Sequence, residues 1–500
     1  MLGFTEEAKL VSYVVAQTNS YIKSMPKTLR KSYGQFFTSA ETAVFMASLF
    51  KIPRKKSLTI LDPGAGAGIL SAALIERLLR DKYVESIELV CYENDKNILE
   101  QLRSNLAWIQ HNSNKKVSYN IIKDNYILSQ KKDYNSKSQQ DKEQKFDLVI
   151  GNPPYMKVGK EAPEALAMPD VCFGAPNLYF LFMSMAIFNL CDGGELVFVI
   201  PRSWTSGAYF KKFREKLFRT SSLVNIHLFV SRDRVFEQEN VLQETIIVKV
   251  VKSKKKPAYV TISTSNSNSD FQRLTTFKAP YDIVVRGEEN YVYLVTNKTE
   301  VETLLKLNSF EYTLPVIGLR MKTGITVDFR NRDFLRDTPD EGTIPLFYSQ
   351  HIHNGEVTFP VGQKSEYITS TRKGLLQKNS NYLFVKRFTA KEEHRRLQCG
   401  IYLAQNLPQY SQISTQNKIN FICGTNELSE SLVYGLYVIF NSSLYDSYYR
   451  ILNGSTQVNS TEINKMPVPS MEVIERMGRK LIRSHDLSEK NCNEILKEYT

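Results

Sequence analysis

The sequence contains few cysteines, and they are not arranged for any familiar cysteine chemistry. The six cysteines lie far apart in a chain of 500 residues. Zinc ligands and disulfide frameworks show short, paired spacings, so neither is indicated. No cysteine follows a proline in a sharp turn, so a cysteine nucleophile is also unsupported. The six are Cys91, Cys172, Cys191, Cys399, Cys423 and Cys492.

Long apolar runs are also missing. No stretch approaches the roughly 20 apolar residues of a membrane-spanning helix, and the N-terminus lacks the pattern of a signal peptide. The sequence therefore predicts a cytoplasmic protein with no membrane partner. It shows no convincing cluster of metal-binding carboxylates either, which disfavours a metal site or a nuclease within the same chain.

What the chain has in excess is positive charge. Lys and Arg total 65 and Asp and Glu total 52, which gives a formal net charge of +13. Such an excess suits a polyanionic partner such as nucleic acid, although a generally basic proteome would produce it too. With 500 residues and a hydrophobic fraction of 42%, the chain is long enough for two or more soluble domains.

One short stretch organises the rest of the chain. Residues Phe146–Ile150 form an apolar run typical of a buried strand, and Gly151 ends it. Two prolines at positions 153 and 154 then exclude both helix and further strand pairing. The pattern predicts a rigid turn that presents Asn152 and Tyr155 at the carboxyl edge of a sheet, where open α/β sheets bind their ligands.

The residues of this turn suit group transfer to an exocyclic amine. The lone pair of such a nitrogen is delocalised into its ring, so the nitrogen is a poor nucleophile. The Asn152 side-chain oxygen and the Pro153 carbonyl can each accept one of its N–H bonds. Tyr155, which follows Pro154, offers a flat face for an extruded base. The alternative is a purely structural turn with Tyr155 half buried.

Upstream, a strand, a glycine loop and a helix follow in the order of a nucleotide-binding unit. Residues 58–61 are predicted as the strand, 62–68 as the loop and 69–80 as the helix. Glycines let a backbone approach its ligand closely, and a helix N-terminus favours a carboxylate or phosphate. The Gly-x-Gly-x-Gly spacing differs from that of dinucleotide-binding loops. The candidate ligand-binding residues of the loop are Asp62, Gly64, Ala65 and Gly66.

Two acids follow the next two predicted strands. Glu93 follows the strand at residues 87–92, and Asp124 follows the strand at residues 118–122. An acid at the end of the second strand can accept hydrogen bonds from both hydroxyls of a ribose, and Asp124 is placed to hold an adenine amino group. The alternative for each acid is a surface carboxylate in a strand-to-helix turn.

Near the N-terminus, residues 5–30 are predicted as an amphipathic helix. The segment Gly34-Gln35-Phe36-Phe37-Thr38 follows it, and Thr38 with Glu41 has the spacing of a capping box. The pattern predicts a second helix beginning there. The simplest role for the aromatic residues ahead of it is a hydrophobic staple onto that helix.

Between and beyond these motifs the sequence predicts further elements of the same sheet. Residues 130–145 are polar and lysine-rich and are predicted as a flexible insertion, and residues 156–176 as a lid or substrate loop. A helix over residues 177–190 should end at a glycine stop, followed by a strand over residues 195–200. Residues 241–251 are predicted as the strand that closes the sheet.

A lysine run and the low-complexity segment 263–270 indicate a change of organisation. We therefore predict an α/β domain over residues 1–256 and a second domain over residues 257–500. In the second domain Lys386 and Arg387 precede Thr389 and Glu392, which have the spacing of another capping box. The helix N-terminus predicted there suits phosphates. Further candidates for DNA contact are Arg395, Arg396, Asn453, Ser455, Thr456, Gln457 and Asn459.

The order of these motifs resembles the gamma group of DNA N6-adenine methyltransferases of bacterial restriction–modification systems. The second half, with Val385–Phe388 and Asn453–Asn459, resembles the target-recognition part of the subgroup that includes the PstI and BsuBI methylases. The resemblance implies a Rossmann-like methyltransferase sheet with helices on both faces, followed by a mixed α+β target-recognition domain. It also implies a cytoplasmic bacterial enzyme that acts on double-stranded DNA as a monomer, beside a separate restriction endonuclease.

The resemblance further assigns roles to individual residues. The catalytic motif is Asn152, Pro153, Pro154 and Tyr155, and Phe236 matches the aromatic residue that helps to sandwich the target base. The implied cofactor is S-adenosyl-L-methionine, with Glu93 on its ribose and Asp124 on its adenine. The remaining implied cofactor-binding residues are Gln35, Phe36, Thr38, Asp62, Gly64, Ala65, Gly66, Asn152 and Tyr179.

Three other functions remain open from the sequence. A glutamine methyltransferase acting on a protein uses the same Asn-Pro-Pro-Tyr turn but needs no long basic second half. A methyltransferase of structured RNA usually carries a small auxiliary domain, whereas the second half here is large. The third is a DNA-binding specificity protein with a dead catalytic fold, against which intact Asp62, Glu93, Asn152 and Tyr155 argue.

Overall fold

The computed structural model describes residues 9–24, 38–136, 145–229, 245–369, 371–390, 393–452 and 456–500. The chain divides into two compact units, residues 1–296 and residues 297–500. The division predicted at residue 256 is therefore wrong by about forty residues, because strands that follow residue 256 continue the sheet of the first unit.

The first unit is built on a nine-stranded sheet. Its strand order is β3-β2-β1-β4-β5-β7-β6-β8-β9. The first five strands in this order are parallel to their neighbours, and β7 runs antiparallel between β5 and β6. The strands are β1 Ser57–Asp62, β2 Ser86–Tyr92, β3 Lys116–Ile122, β4 Phe146–Gly151, β5 Leu190–Pro201, β6 Ser222–Phe229, β7 Thr245–Val251, β8 Tyr259–Ser265 and β9 Thr275–Pro280, with a small hairpin of β10 Val285–Arg286 and β11 Tyr291–Val292.

Helices cover both faces of this sheet. One face buries alternate strand residues such as Ile60 and Ile150 in a core shared with the first four helices. The other alternates, among them Val149 and Phe198, are equally buried on the opposite face, where the apolar helix after the Asn-Pro-Pro-Tyr turn lies. The helices are Lys9–Ser24, Ala40–Ser48, Ile69–Leu79, Leu99–His111, Tyr126–Ser129, Lys131–Asn135, Pro163–Ala167, Leu178–Asn189, Lys211–Thr220 and Tyr281–Val284.

The sequence prediction fails at the far edge of the sheet. Residues 245–251 do not close it, because β8 and β9 extend the sheet beyond β6. The serine-rich segment taken as a boundary contributes Ser263 and Ser265 to β8 instead. Their hydroxyls lie 2.9 and 3.1 Å from the two ring nitrogens of buried His227. The serines are therefore partners of a buried polar group, which composition alone does not reveal.

Three local predictions also need correction. The helix predicted to begin at Thr38 is capped by Ser39, whose hydroxyl accepts from the backbone N–H of Thr42. The predicted insertion starts as a helix over Lys131–Asn135, and residues 137–144 lie outside the described part. The helix over Leu178–Asn189 passes directly into β5 at residue 190, so no glycine stop separates them.

The second unit is a mixed α+β structure. One sheet has the strand order β13-β23-β20-β21-β17-β16, another has β14-β18-β15-β22-β19, and β12 pairs with β24. The strands are β12 Tyr312–Thr313, β13 Leu319–Thr323, β14 Leu335–Arg336, β15 Ile344–Phe347, β16 Ile352–His353, β17 Glu356–Val357, β18 Tyr367–Ile368, β19 Gln377–Lys378, β20 Tyr382–Lys386, β21 Cys399–Tyr402, β22 Gln412–Thr415, β23 Ile419–Gly424 and β24 Pro467–Val468.

Two glycines let the main helices of the second unit approach each other closely. A Cβ atom at Gly435 would lie 1.9 Å from the carbonyl oxygen of Ile474, and one at Gly478 would lie 1.7 Å from that of Ser431. The helices of this unit are Lys298–Leu307, Glu430–Phe440, Ser443–Leu452, Ser460–Ile463, Met471–Ser484 and Glu489–Lys497. In the described part of the whole chain, every helix is too short or too polar to cross a bilayer.

Candidate functional site

The parallel strands bring the predicted site residues to one edge of the sheet. β3, β2, β1 and β4 are neighbours in that order and run in the same direction. Their carboxyl ends are therefore adjacent, and the next residues along the chain are Asp124, Glu93, the glycine loop and Asn152. This edge is where the sequence places the ligand of an open α/β sheet.

The glycine loop between β1 and the helix at residue 69 contains backbone conformations with positive φ. Gly66 and Gly68 have φ values of +53° and +86°, a region that other residues rarely adopt. The Ala65 N–H donates to the carbonyl of Tyr92, 3.0 Å away. A Cβ atom at Gly66 would meet nothing within 4 Å, so the loop faces open space there. A Cβ atom at Gly64 would lie 4.0 Å from the Asn152 carbonyl oxygen, so the loop adjoins the Asn-Pro-Pro-Tyr turn.

Glu93 is joined directly to this loop. One carboxylate oxygen accepts from the Gly66 N–H at 2.8 Å, and the other accepts from the Asp95 N–H at 2.9 Å. Burial raises the pKa of the Glu93 carboxyl, and these two backbone donors oppose the rise. A carboxylate has about four acceptor positions, so Glu93 can hold the loop and still have an acceptor position for a ribose hydroxyl.

Asp62 lies beneath the loop and is fully buried. Its Oδ2 atom accepts from the Ser71 hydroxyl at 2.7 Å. Burial raises the pKa of Asp62 to about 7, and the Ser71 hydroxyl and the Gly64 backbone oppose this shift. Because the side chain has no exposure, Asp62 stabilises the loop from below rather than reaching a ligand through solvent.

Asp124 differs from the other acids of this edge. It is exposed and follows β3, the first strand in the sheet order. The next residue, Asn125, caps a short helix by accepting from the N–H groups of Ile127 and Leu128. The capped turn fixes the backbone around Asp124, and its carboxylate remains accessible to a ligand.

At the end of β4 two hydroxyls contact the carboxamide of Asn152. The Asn152 Nδ2 atom donates to Thr38 Oγ1 at 3.2 Å, and its Oδ1 atom accepts from the Tyr155 hydroxyl at 2.8 Å. The same tyrosine hydroxyl lies 2.9 Å from the Val199 carbonyl oxygen of β5. The carboxamide is therefore attached to both the segment before the Ala40–Ser48 helix and the Asn-Pro-Pro-Tyr turn.

The tyrosine of the turn belongs to a buried aromatic group. Tyr155 is 7% exposed, and its ring meets that of Tyr179 edge to face, with centroids 6.4 Å apart. Tyr179 is only 1% exposed, and its hydroxyl lies 3.1 Å from Ser203 Oγ. Protein covers Tyr179, which packs against Tyr155; its contact with a cofactor stays a prediction.

Sequence reasoning missed several polar residues that support the site. Buried Asn105 donates from Nδ2 to the Ala67 carbonyl, 2.8 Å away, and holds the glycine loop. Buried Arg214 donates to the carbonyls of Trp204, Ser206 and Gly207, and fixes the loop after β5. Asn105 and Ser71 could have been found from the sequence, because each is a polar residue among the apolar, buried positions of its helix. Ser71 lies in the helix after the glycine loop.

In the second unit the chain brings two predicted recognition segments together. The Val458 N–H donates to the Arg387 carbonyl at 2.7 Å, and the Thr389 N–H donates to the Thr456 carbonyl at 3.2 Å. Phe388 and Gln457 form an antiparallel bridge between these bonds. Phe388 is 46% exposed, and its ring lies under the Arg387 guanidinium at 5.5 Å. The paired segments thus present a partly exposed basic and aromatic surface that includes partly exposed Lys386.

The arginines downstream of this pair do not fit the prediction. Arg396 is 1% exposed; its Nε atom donates to Thr389 Oγ1 at 3.1 Å, and its guanidinium lies over the Tyr449 ring. Arg395 donates to the carbonyls of Phe440 and Ser442 and pairs with Glu489 at 3.1 Å. Both arginines hold the second unit together, so neither is available to phosphates.

The helix predicted from Thr389 and Glu392 is also wrong as far as the structure describes it. Residues 388–390 and 393–398 are not helical, because the Thr389 hydroxyl donates to the Arg396 carbonyl instead of capping a helix. Asn459 precedes a short helix, and its backbone N–H donates to the Tyr449 hydroxyl at 3.0 Å. The predicted site residues outside the described part are Gln35, Phe36, Phe236, Glu392, Asn453 and Ser455.

A Rossmann-like sheet with an antiparallel seventh strand, and a glycine loop beside an Asn-Pro-Pro-Tyr turn, define a methyltransferase with the S-adenosylmethionine-dependent fold. Residues 21–236 match the model of the Eco57I restriction-modification methylase family. The chain belongs to the type II methyltransferases of restriction–modification systems.

The relatives that carry this assignment match almost the whole chain. The type II methyltransferase M.BsuBI of Bacillus subtilis is 32% identical over 91% of this chain and 91% of its own length. M.PstI of Providencia stuartii is 32% identical over 92% of this chain and 91% of its own length. A class I S-adenosylmethionine-dependent methyltransferase of Listeria monocytogenes superposes with a TM-score of 0.40 and 18% identity, covering 54% of this chain and 76% of that chain.

Proposed function

We propose that this protein is a site-specific DNA methyltransferase that moves a methyl group from S-adenosyl-L-methionine to the N6 amino group of a flipped adenine in duplex DNA. The observation that supports this most directly is the carboxamide of Asn152, held at the carboxyl end of β4 beside the glycine loop. The likeness of nearly the whole chain to type II methyltransferases supports DNA as the substrate.

The residues of the edge suit S-adenosyl-L-methionine. Its two ribose hydroxyls match the acceptors of Glu93, its adenine amino group matches exposed Asp124, and the open space at Gly66 admits a ligand against the backbone. When bound, S-adenosyl-L-methionine supplies an electrophilic methyl group on a sulfonium. Gln35 and Phe36 are proposed to contact its methionine part.

The side chains of the turn then act on the amine that receives the methyl group. The Asn152 carboxamide oxygen, to which Tyr155 donates, is proposed to accept one N–H of the adenine amine. The Pro153 carbonyl accepts the second N–H, so the nitrogen lone pair becomes localised on the nitrogen instead of delocalised into the ring. Tyr155 and Phe236 enclose the flipped base, with Pro154 keeping the turn rigid. Transfer is in line without a covalent intermediate, and solvent takes the released proton.

The second unit is proposed to read the DNA target. Its exposed segment at residues 386–388, joined to residues 456–458, offers a cation, an aromatic ring and amide groups to the backbone and base edges. Arg387 has one guanidinium nitrogen bonded to the Asn417 carbonyl at 3.0 Å, which fixes its direction and leaves further N–H donors for a phosphate. We expect a monomer on DNA, paired in function with a separate restriction endonuclease.

A methyl-transfer assay with three substrates tests the proposal. Tritiated S-adenosyl-L-methionine and the purified full chain are incubated with unmethylated duplex DNA, with structured RNA, or with a protein extract. Incorporation into DNA alone is expected. Incorporation into RNA or into protein glutamine would replace the proposal with one of those two functions, and incorporation into none would support a DNA-binding protein without activity.

A further inference from the structure

The carboxamide of Asn152 works only if it is held in one place. In-line transfer requires the amine nitrogen, the methyl carbon and the sulfonium sulfur to be aligned. The carboxamide oxygen orients the amine for this, and a misplacement of about 1 Å costs roughly a hundredfold in rate. An asparagine side chain has two rotatable bonds, so its position must come from its neighbours. Two such neighbours are present, one on each side of the carboxamide.

Tyr155 and Thr38 attach opposite ends of this group. The tyrosine hydroxyl lies 2.8 Å from Asn152 Oδ1, and Thr38 Oγ1 lies 3.2 Å from Asn152 Nδ2. Thr38 is 8% exposed and Tyr155 is 7% exposed, so water competes little for either hydroxyl. The tyrosine comes with the turn itself, but Thr38 is 114 residues away in the sequence.

We propose that Thr38 is a positioning residue for methyl transfer and that it acts through Asn152. This rests on the proposed function and assigns Thr38 a role in place of the contact with the cofactor that the resemblance implies. If the hydroxyl is lost, the carboxamide loses one of its hydrogen bonds, and its orientation is less restricted. The effect then falls on the rate of transfer from the bound state, and the affinity for S-adenosyl-L-methionine changes little.

Thr38→Val tests this, since valine keeps the size and branching of threonine. The matched control is Thr42→Val: Thr42 is buried in the following helix, and its hydroxyl accepts from Ser39 at 3.1 Å, away from Asn152. The readouts are the single-turnover rate of methyl transfer to DNA and the calorimetric Kd for S-adenosyl-L-methionine. Thr38→Val should slow single turnover by about ten- to a hundredfold, with Kd within about twofold; Thr42→Val should leave the rate unchanged.

Thr38→Ser separates the hydroxyl from the shape of the side chain. It should restore most of the rate lost in Thr38→Val, because it restores the hydrogen bond. An unchanged rate in Thr38→Val, a loss confined to cofactor Kd, or a Thr38→Ser variant as slow as Thr38→Val would each overturn the inference. The wild type is assayed alongside: if it transfers no methyl group to DNA, the proposed function fails, and the inference fails with it.

A separate observation concerns a groove in the second unit. A cavity of about 470 Å³ lies beside β13, β20 and β23. Two polar contacts join residues of its walls. Asn381 Nδ2 donates to the Leu428 carbonyl at 2.8 Å, and Lys378 pairs with Glu427 at 2.9 Å. The lining also includes Lys322 and Lys373, which are exposed and belong to no ion pair found among the described residues. The groove therefore presents two exposed lysines, Lys322 and Lys373, in addition to the ion pair of Lys378 and Glu427.

We infer that this groove receives the phosphate backbone of the DNA. The inference rests on the proposed function. It is needed because Arg395 and Arg396, the phosphate contacts predicted from the sequence, donate their hydrogen bonds to other residues of the second unit. Lysines bind phosphates as point charges on flexible stems. The groove would thus supply charge that the predicted basic helix does not.

Lys322→Ala with Lys373→Ala tests the groove, and Lys490→Ala with Lys497→Ala removes the same charge from an exposed helix elsewhere in this unit. Each phosphate contact contributes about 0.9 to the slope of log K against log salt. The groove variant should therefore flatten the slope by about 1.8, and the control should not. A wild-type slope in the groove variant, or equal flattening in the control, would overturn the inference. Methyl transfer to DNA by the wild type distinguishes failure of the groove inference from failure of the proposed function. If the wild type methylates DNA, only the groove inference has failed.

Discussion

Sequence-based prediction was much more accurate for the carboxyl edge of the first unit than for the basic segment of the second unit, residues 386–396. At the edge, Asp62, Glu93 and Asn152 all lie at the ends of adjacent parallel strands, where their motifs place them. In the basic segment, Arg395 and Arg396 are turned inward and bonded within the fold. A motif tied to a turn or a strand end fixes the position of a residue, whereas the role of a charged side chain depends on distant partners.

The largest expected effect concerns the edge. Asn152→Ala should abolish methyl transfer, a loss beyond about a hundredfold, because the amine then lacks its carboxamide acceptor. Cofactor affinity should stay nearly unchanged, since the side chain contacts Thr38 and Tyr155 rather than the glycine loop. A turnover assay with calorimetry measures both. Retained turnover would contradict the mechanism.

The second effect lies in the other region and concerns stability. Arg396→Met should lower the free energy of unfolding by about 3 kcal/mol, because it leaves buried partners of the guanidinium unsatisfied. Urea unfolding monitored by tyrosine fluorescence and circular dichroism measures this. The folded fraction of the variant should bind DNA with the wild-type salt dependence. A flatter slope of log K against log salt, without loss of stability, would show that Arg396 contacts DNA.

Glu93→Ala should weaken the binding of S-adenosyl-L-methionine by about 1–3 kcal/mol, roughly the contribution of a hydrogen bond to a charged group. The residue also accepts from the Gly66 N–H, so Glu93→Gln is a useful comparison: its amide keeps one oxygen acceptor. The expected order of affinity is wild type, Glu93→Gln, Glu93→Ala. Unchanged affinity in Glu93→Ala would show that the acid only holds the loop.

The smallest expected effect concerns the exposed pair in the second unit. Replacing Lys386 and Arg387 together by alanine should weaken binding to all DNA sequences alike and flatten the salt slope by about one to two units. Fluorescence anisotropy over a salt series, with a cognate and a scrambled duplex, measures both quantities. A changed preference between the duplexes would place these residues on base edges instead.

Much of the first unit could be predicted because its signals are local. The apolar run at residues 146–150 gave β4, two prolines gave the turn, and the glycines at residues 64, 66 and 68 gave the loop. The edge strands could not be predicted in the same way. The sequence of β8 is rich in serine, which is typical of a linker. Its role in the sheet follows only from the structure, where its serines are the hydrogen-bond partners of buried His227 on the neighbouring strand.

The hydrogen bond between Thr38 and Asn152 was equally hidden, since it joins residues 114 positions apart. The motif containing Thr38 was recognised, but only the fold shows which atom its hydroxyl meets. In the second unit, Thr389 and Glu392 have the spacing of a capping box, yet Thr389 donates to the Arg396 carbonyl. A short-range pattern was overruled there by a contact that the sequence does not encode locally.

The chemical identity of the methylated base tests the central claim most directly. Unmethylated plasmid DNA is treated with the full chain and S-adenosyl-L-methionine, digested to nucleosides and analysed by mass spectrometry, with Asn152→Ala treated in parallel. The account predicts N6-methyl-2′-deoxyadenosine with the wild type and none with Asn152→Ala. A methylated cytosine in place of it, or N6-methyladenine formed equally by the variant, would contradict the account.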